Sequence, residues 1–147
     1  MIEWVAFALF VVLLTIAGLH AAWGFGWRWP SDSEAGLAKT VVGRPGITRM
    51  PPLVACLLVT GLLAAASLWP LFAIGFLPAR WPAWVTQLAG AALTVVFTGR
   101  GIAGYVPAWR SRHSEQPFAG LDQRIYSPLC LAVGAGLLPV LIASTRP

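Results

Sequence analysis

The segment that decides the fold is Gly99–Leu131, GRGIAGYVPAWRSRHSEQPFAGLDQRIYSPLCL, in which two apolar stretches are joined by a polar crossing. Arg100 lies near the end of the first stretch, and Asp122, Arg124 and Tyr126 stand at the start of the second. Elsewhere the chain keeps charge out of its apolar runs. A functional site is therefore expected at this junction.

The composition of the chain points to lipid as its surroundings. Of 147 residues, 58% are hydrophobic and only 10% are charged, whereas a soluble domain has about 25% charged residues. A soluble domain of this length would still leave roughly a third of its surface in water. The net charge of +5 comes from residues that flank apolar runs, which favours contact with anionic lipid headgroups over nucleic acid.

Apolar runs of membrane-spanning length occur four times, and about 20 apolar residues are enough to cross a bilayer. We therefore predict an all-α polytopic membrane protein, an antiparallel bundle of four transmembrane helices forming a single domain over residues 1–147. A cleaved signal peptide is the competing interpretation of the first run, but no basic segment precedes it and the run is too long. The predicted spans are about 4–27, 52–76, 83–105 and 127–144.

The start of the last span carries the signature of a helix N-terminus. Ser127 is predicted to be its N-cap, with Pro128 at the first helical position. Residues 106–125 would then form a long polar loop, matching an earlier loop over residues 28–50.

The distribution of cations predicts the orientation of the chain. On the side of the membrane that holds the termini, the only cations are Arg80 and Arg146. The two long loops, on the opposite side, carry seven. By the positive-inside rule these loops are cytoplasmic and both termini face outward. The cations of the loops include Arg28, Lys39, Arg44, Arg49, Arg110, Arg112 and Arg124.

Polar side chains gather at the cytoplasmic end of the predicted bundle, where His20 and Arg100 lie in the last turns of their spans. Arg100 either extends to the interface or faces the bundle and pairs with Asp122, because an unpaired charge in hydrocarbon is costly. His20 is either a packing residue or a proton carrier, since its charge changes near neutral pH. Asp122 is either a capping carboxylate or a general acid, and Tyr126 either anchors at the interface or points into a pocket.

Two classes of function fit this pattern. The first is a protein that binds a lipophilic molecule, such as an isoprenoid, a quinone or a sterol-like compound, and that acts as an isomerase or cyclase by proton transfer. In this interpretation the catalytic candidates are His20, Asp122 and Tyr126, and the substrate-binding candidates are Arg100, Trp23 and Arg124. The sequence has no cluster of metal-ligating residues, so no metal site is predicted, and no cofactor is expected.

The second class is a non-enzymatic accessory or scaffold subunit of a membrane complex. Gly90, Thr94 and Thr98 recur every four residues on one face of the third span. Small residues at this spacing let helices approach closely. This face either packs against other helices of the bundle or is the candidate contact for a homo-oligomer or a membrane partner.

The segment Phe118-Ala-Gly-Leu-Asp-Gln-Arg-Ile-Tyr-Ser-Pro-Leu-Cys-Leu131 resembles the signature of a family of small bacterial four-span membrane proteins known only as a domain of unknown function. The Tyr-Ser-Pro-Leu-Cys run is its most specific part, and His20-x-x-Trp23-Gly24-x-Gly26 and Arg100 also fit. Phe25 separates two glycines that the family pattern would place side by side. The resemblance implies the four-span fold and a bacterial inner membrane, and it supplies no activity.

Overall fold

A computed structural model describes residues 1–145, and Arg146, one of the two cations assigned to the side of the termini, lies outside the described residues. The described residues form helices joined by turns and loops, and they contain no strand. Its helices are α1 (Ile2–Gly24), α2 (Glu34–Val41), α3 (Leu53–Ala73), α4 (Ala83–Ala103), α5 (Pro107–Arg112), α6 (Phe118–Leu121) and α7 (Ser127–Ser144), with a π-helical turn over Asp122–Tyr126 between α6 and α7.

Four of these segments are long and apolar enough to cross a membrane: α1, α3, α4, and the continuous helical segment Phe118–Ser144. The shortest have 21 residues, which at about 1.5 Å per residue match a hydrocarbon core about 30 Å thick. The predicted fold class, an all-α polytopic membrane protein, is confirmed.

The polar crossing before the last span differs from the prediction. Residues 106–125 are not one loop, because they contain α5, α6 and most of the π turn. Ser127 is not an N-cap, since the helical backbone runs through it from Phe118 and its backbone N–H donates to the carbonyl of Asp122. The last membrane helix therefore begins at Phe118, about two and a half turns before the start that the serine–proline signature indicated.

The bundle consists of two closely packed helix pairs, α1 with α3 and α4 with α7, and the pairs meet mainly where α1 contacts α7. Apolar side chains fill the half of the bundle that lies nearest the chain termini. This core includes Ala6, Leu9, Leu13, Trp69, Leu137 and Val140. The other half, towards the two long loops, is less completely filled and contains the candidate site.

The face of α4 with small residues is covered inside the chain. A Cβ atom on Gly90 would lie 2.1 Å from the Trp69 ring of α3, and the Trp69 indole N–H donates to the carbonyl of Thr86 at 2.7 Å. Thr98 lies against Gly134 of α7, and a Cβ atom added to Gly134 would overlap the Thr98 hydroxyl. The small-residue face of α4 therefore packs against α3 and α7 of the same chain, which is the close helix approach that the spacing predicted.

Candidate functional site

An ion pair between α4 and the π turn forms the polar centre of the site. Arg100 Nη2 donates to Asp122 Oδ1 at 2.6 Å, and Arg100 Nη1 donates to the hydroxyl of Ser127 at 3.3 Å. Asp122 is buried, with 3% of its surface exposed, whereas the Arg100 side chain keeps 29% of its surface exposed. Of the two interpretations of Arg100, the structure supports the one in which it faces the bundle and pairs with Asp122.

The π turn brings Ser127 and Asp122 together. A π-helical turn closes hydrogen bonds between residues five apart, and such turns are frequent at functional sites. Here the Ser127 hydroxyl, five residues after Asp122, donates to Asp122 Oδ1 at 3.2 Å. Gly104, the residue that follows α4, packs directly against this contact, since an added Cβ would overlap the hydroxyl of Ser127. The five-residue spacing of the turn thus places the Ser127 hydroxyl next to the Asp122 carboxylate.

Trp109 of α5 completes the environment of the ion pair and was not among the site residues predicted from sequence. Its indole N–H donates to Asp122 Oδ2 at 3.0 Å, and its ring lies 4.6 Å from the guanidinium carbon of Arg100. The ring of His113 also stacks on Trp109, with centroids 4.0 Å apart. The segment around Trp109 is basic and aromatic, a composition typical of a membrane interface, and nothing in its spacing indicates Asp122 as a partner.

A cavity of about 430 Å³ lies beside the ion pair, between the two helix pairs. Its walls come from all four membrane helices and are mostly apolar, including Ile16, Leu19, Val59, Leu63, Phe97 and Val133. The polar lining comes from Arg100, His20 and Tyr126, together with the Trp23 indole and the Cys130 thiol. Among the described residues, Arg100 is the one cation of the lining, and Asp122 stands behind it, outside the cavity wall.

His20 and Trp23 form the α1 side of the polar end. His20 Nδ1 lies 2.9 Å from the carbonyl oxygen of Ile16. A carbonyl oxygen only accepts, so Nδ1 carries the hydrogen and Nε2 of the neutral ring is an acceptor. The Trp23 ring lies 5.1 Å from the imidazole, and its N–H donates to the carbonyl of Trp29 at 2.8 Å. Both residues also line a smaller neighbouring cavity of about 180 Å³.

Tyr126 links the last membrane helix to the first long loop. Its hydroxyl donates to the carbonyl of Thr40 in α2 at 3.1 Å, and its ring packs on Phe118. Because that hydroxyl donates its hydrogen to Thr40, its oxygen remains an acceptor. Arg124 is different, because it is exposed and lies outside the cavity lining. The structure therefore brings five of the six predicted site residues together, and Arg124 is not with them.

Contacts between the two long loops hold α2 next to the cavity. Glu115 pairs with Lys39 at 3.1 Å and accepts the backbone N–H of Gly46 at 3.2 Å, while its own N–H donates to Gly43. The Gly46 N–H, together with Lys39, lowers the pKa of the Glu115 carboxyl below its ordinary value. Gly43 has a positive φ of 73° and touches the Phe118 ring, which suits only glycine.

Within residues 1–145, no group of three or more histidine, cysteine or acidic side chains is arranged to hold a metal ion. Cys56 and Cys130 are both free thiols. At the cavity, the side chains of Arg100, His20 and Tyr126 offer hydrogen-bonding groups.

Residues 13–137 match a protein family that is described as "Protein of unknown function (DUF3995)". The chain belongs to this family. The expectation of a domain-of-unknown-function family is thus confirmed at the level of the family, and the match covers the cavity, the ion pair and the π turn. Comparison with curated proteins finds no match, and neither does comparison with solved structures.

Proposed function

We propose that this DUF3995 protein binds a lipophilic molecule in the cavity between its helix pairs, with the polar end of that molecule at Arg100, His20 and Tyr126. The observation that carries the proposal is the contrast between the two halves of the bundle. One half is a packed apolar core, and the other holds about 430 Å³ of space with polar groups at one end. Ligand sites are typically apolar cavities with a few convergent polar groups.

The arrangement of hydrogen bonds favours distinct roles for the three catalytic candidates. Asp122 accepts hydrogen bonds from Arg100, Ser127 and Trp109, all of them donors that match an ionised carboxylate. This favours Asp122 as the residue that positions Arg100. In an enzymatic form of the proposal, an isomerase or cyclase, His20 carries the proton through its free Nε2 atom and Tyr126 orients the substrate.

The proposal includes a location and an orientation. A single domain over residues 1–147 crosses a bacterial inner membrane, with the long loops in the cytoplasm and the termini outside. The cavity would then open near the cytoplasmic leaflet. The Tyr-Ser-Pro-Leu-Cys run, which we propose as a family signature, begins with the last residue of the π turn that carries Asp122.

Native mass spectrometry of the protein purified in a mild detergent, followed by lipid extraction, tests the proposal. We expect a bound lipophilic molecule, and we expect Cys130→Phe to reduce its occupancy at least tenfold by filling the cavity. Leu138→Phe is the matched control, since Leu138 is exposed on the same helix. A folded protein with no bound molecule would refute ligand binding and favour an accessory subunit in which the ion pair only joins helix ends.

A further inference from the structure

The head group that the cavity would recognise can be deduced from the charges and hydrogen bonds at its polar end. We infer, on the basis of the proposed function, that the ligand is an uncharged lipid whose head group carries a carbonyl oxygen for Arg100 and a hydroxyl for His20 or Tyr126. Charge, free donors and free acceptors each support one part of this inference.

The charge at the polar end is already balanced. Asp122 lies 2.6 Å from Arg100 and is held in place by Ser127 and Trp109. A phosphate or carboxylate head group would leave water to meet a cation that is already neutralised. Burying an ion without a net counter-charge is unfavourable. The ion pair therefore favours an uncharged head group over an anionic one.

The free donors lie on Arg100. A guanidinium has five N–H groups, and within residues 1–145 Arg100 makes side-chain hydrogen bonds only to Ser127 and Asp122. The Trp109 ring covers one face of the guanidinium and offers no oxygen acceptor. Since Arg100 also lines the cavity, its remaining N–H groups suit a carbonyl oxygen, which has two lone pairs and no charge.

The free acceptors lie on His20 and Tyr126. Each residue donates its own hydrogen to a backbone carbonyl, Ile16 for the imidazole and Thr40 for the phenol. The Nε2 atom of the neutral imidazole and the phenolic oxygen therefore accept hydrogen bonds at the cavity. A donor on the ligand would satisfy them, and a hydroxyl is the simplest uncharged donor. Together, the two sides of the polar end complement a neutral head that both accepts and donates.

Four lipids with the same chain length separate these features. Monomyristin has the ester carbonyl and free hydroxyls, its tetradecyl glyceryl ether lacks only the carbonyl, methyl myristate lacks the hydroxyls, and myristoyl lysophosphatidic acid adds a phosphate. Binding is measured by native mass spectrometry on the full-length protein after its lipid has been exchanged for detergent. We expect monomyristin to bind about tenfold more tightly than the ether and the methyl ester, as the loss of one hydrogen bond to a charged or polar group predicts. We expect lysophosphatidic acid to bind more weakly than monomyristin as well, because its phosphate would be buried without a net counter-charge.

Matched variants assign the contacts. His20→Phe and His113→Phe remove histidines that both bond a carbonyl four residues back, and only His20 lines the cavity. Tyr126→Phe and Tyr105→Phe form a second pair, since each loses a hydroxyl that donates to a backbone carbonyl. We expect His20→Phe and Tyr126→Phe to reduce the preference for monomyristin over methyl myristate, and the two controls to retain it.

The outcomes separate this inference from the proposed function. Equal binding of all four lipids, or tightest binding of lysophosphatidic acid, overturns the inference about the head group but leaves a lipid-binding cavity. Binding of none of them also overturns the inference, and the molecule that co-purifies, or its absence, then decides the proposed function. A preference for monomyristin that survives in both His20→Phe and Tyr126→Phe would assign the selectivity to other groups and would overturn the roles of these two side chains.

Discussion

The Arg100–Asp122 pair should couple α4 to the last membrane helix, and a double-mutant cycle can measure that coupling. The variants are Arg100→Gln, Asp122→Asn and the double variant. Asp122→Asn removes the charge that faces the guanidinium at 2.6 Å and replaces one acceptor oxygen by an NH₂ group that faces other donors. Arg100→Gln leaves a buried carboxylate with its cation removed and with only the hydrogen bonds from Ser127 and Trp109.

Breaking a buried ion pair by removing one partner costs about 3–5 kcal/mol. Because the Arg100 side chain keeps 29% of its surface exposed, we expect each single variant to lower the free energy of unfolding by about 3 kcal/mol, the lower end of that range. The double variant removes both charges, so it should lose about 3–4 kcal/mol rather than the sum of the two, leaving about 2–3 kcal/mol of coupling.

Unfolding by a denaturing detergent in mixed micelles, followed by tryptophan fluorescence and circular dichroism, supplies the four free energies. Lys39 and Glu115 provide the control cycle, because this pair joins the loops at the exposed surface and should show far weaker coupling. A coupling for Arg100 and Asp122 no larger than that of the control pair would refute the view that the buried pair ties the two helices together.

Two further perturbations test the surroundings of the site. Gly104→Ala should lower the free energy of unfolding by about 1–3 kcal/mol through overpacking, because its Cβ would overlap the hydroxyl of Ser127. Gly99→Ala is the control and should be tolerated, since open space surrounds Gly99. Equal unfolding free energies for the two variants would contradict this expectation. The lowered pKa of Glu115 predicts that its contact with Gly46 is fully formed above the ordinary glutamate range and is lost as the pH falls through the lowered pKa. The amide resonance of Gly46, followed by NMR from pH 7 downward, should therefore shift with a midpoint below that of an unperturbed glutamate, and a midpoint above it would contradict the assignment.

The sequence predicted the membrane fold because the property that decides it, long apolar runs with charge at their ends, is local. It also predicted that His20, Arg100, Asp122 and Tyr126 lie at one depth, since depth follows from position along each span. It could not predict which way Arg100 turns, because that depends on how α4 is rotated against α7. The rotation is set by close contacts such as Gly101 against Leu131, which arise between helices distant in sequence.

The errors have local causes too. Ser127 followed by Pro128 has the pattern of a helix start, and it occurs here in the middle of a helical segment because the π turn continues the backbone from α6. Arg124 was grouped with Asp122 and Tyr126 by its place in the sequence. In a helix neighbouring residues point in different directions, and Arg124 is exposed. The small-residue face of α4 is not among these errors, because its spacing correctly predicted close helix packing, here against Trp69 and Gly134.

The π turn also changes the directions in which side chains point on the helical segments before and after it. In an α-helix each residue rotates the chain by about 100°, so one inserted residue changes which face every later side chain presents. Before the turn, Phe118 packs on Tyr126 and lines the cavity, and after it Cys130 and Val133 line the same cavity. The turn therefore lets side chains from both segments reach one space. A single-residue deletion within Asp122–Tyr126 would rotate one group relative to the other by about 100°, which makes the spacing of this segment as important as its composition.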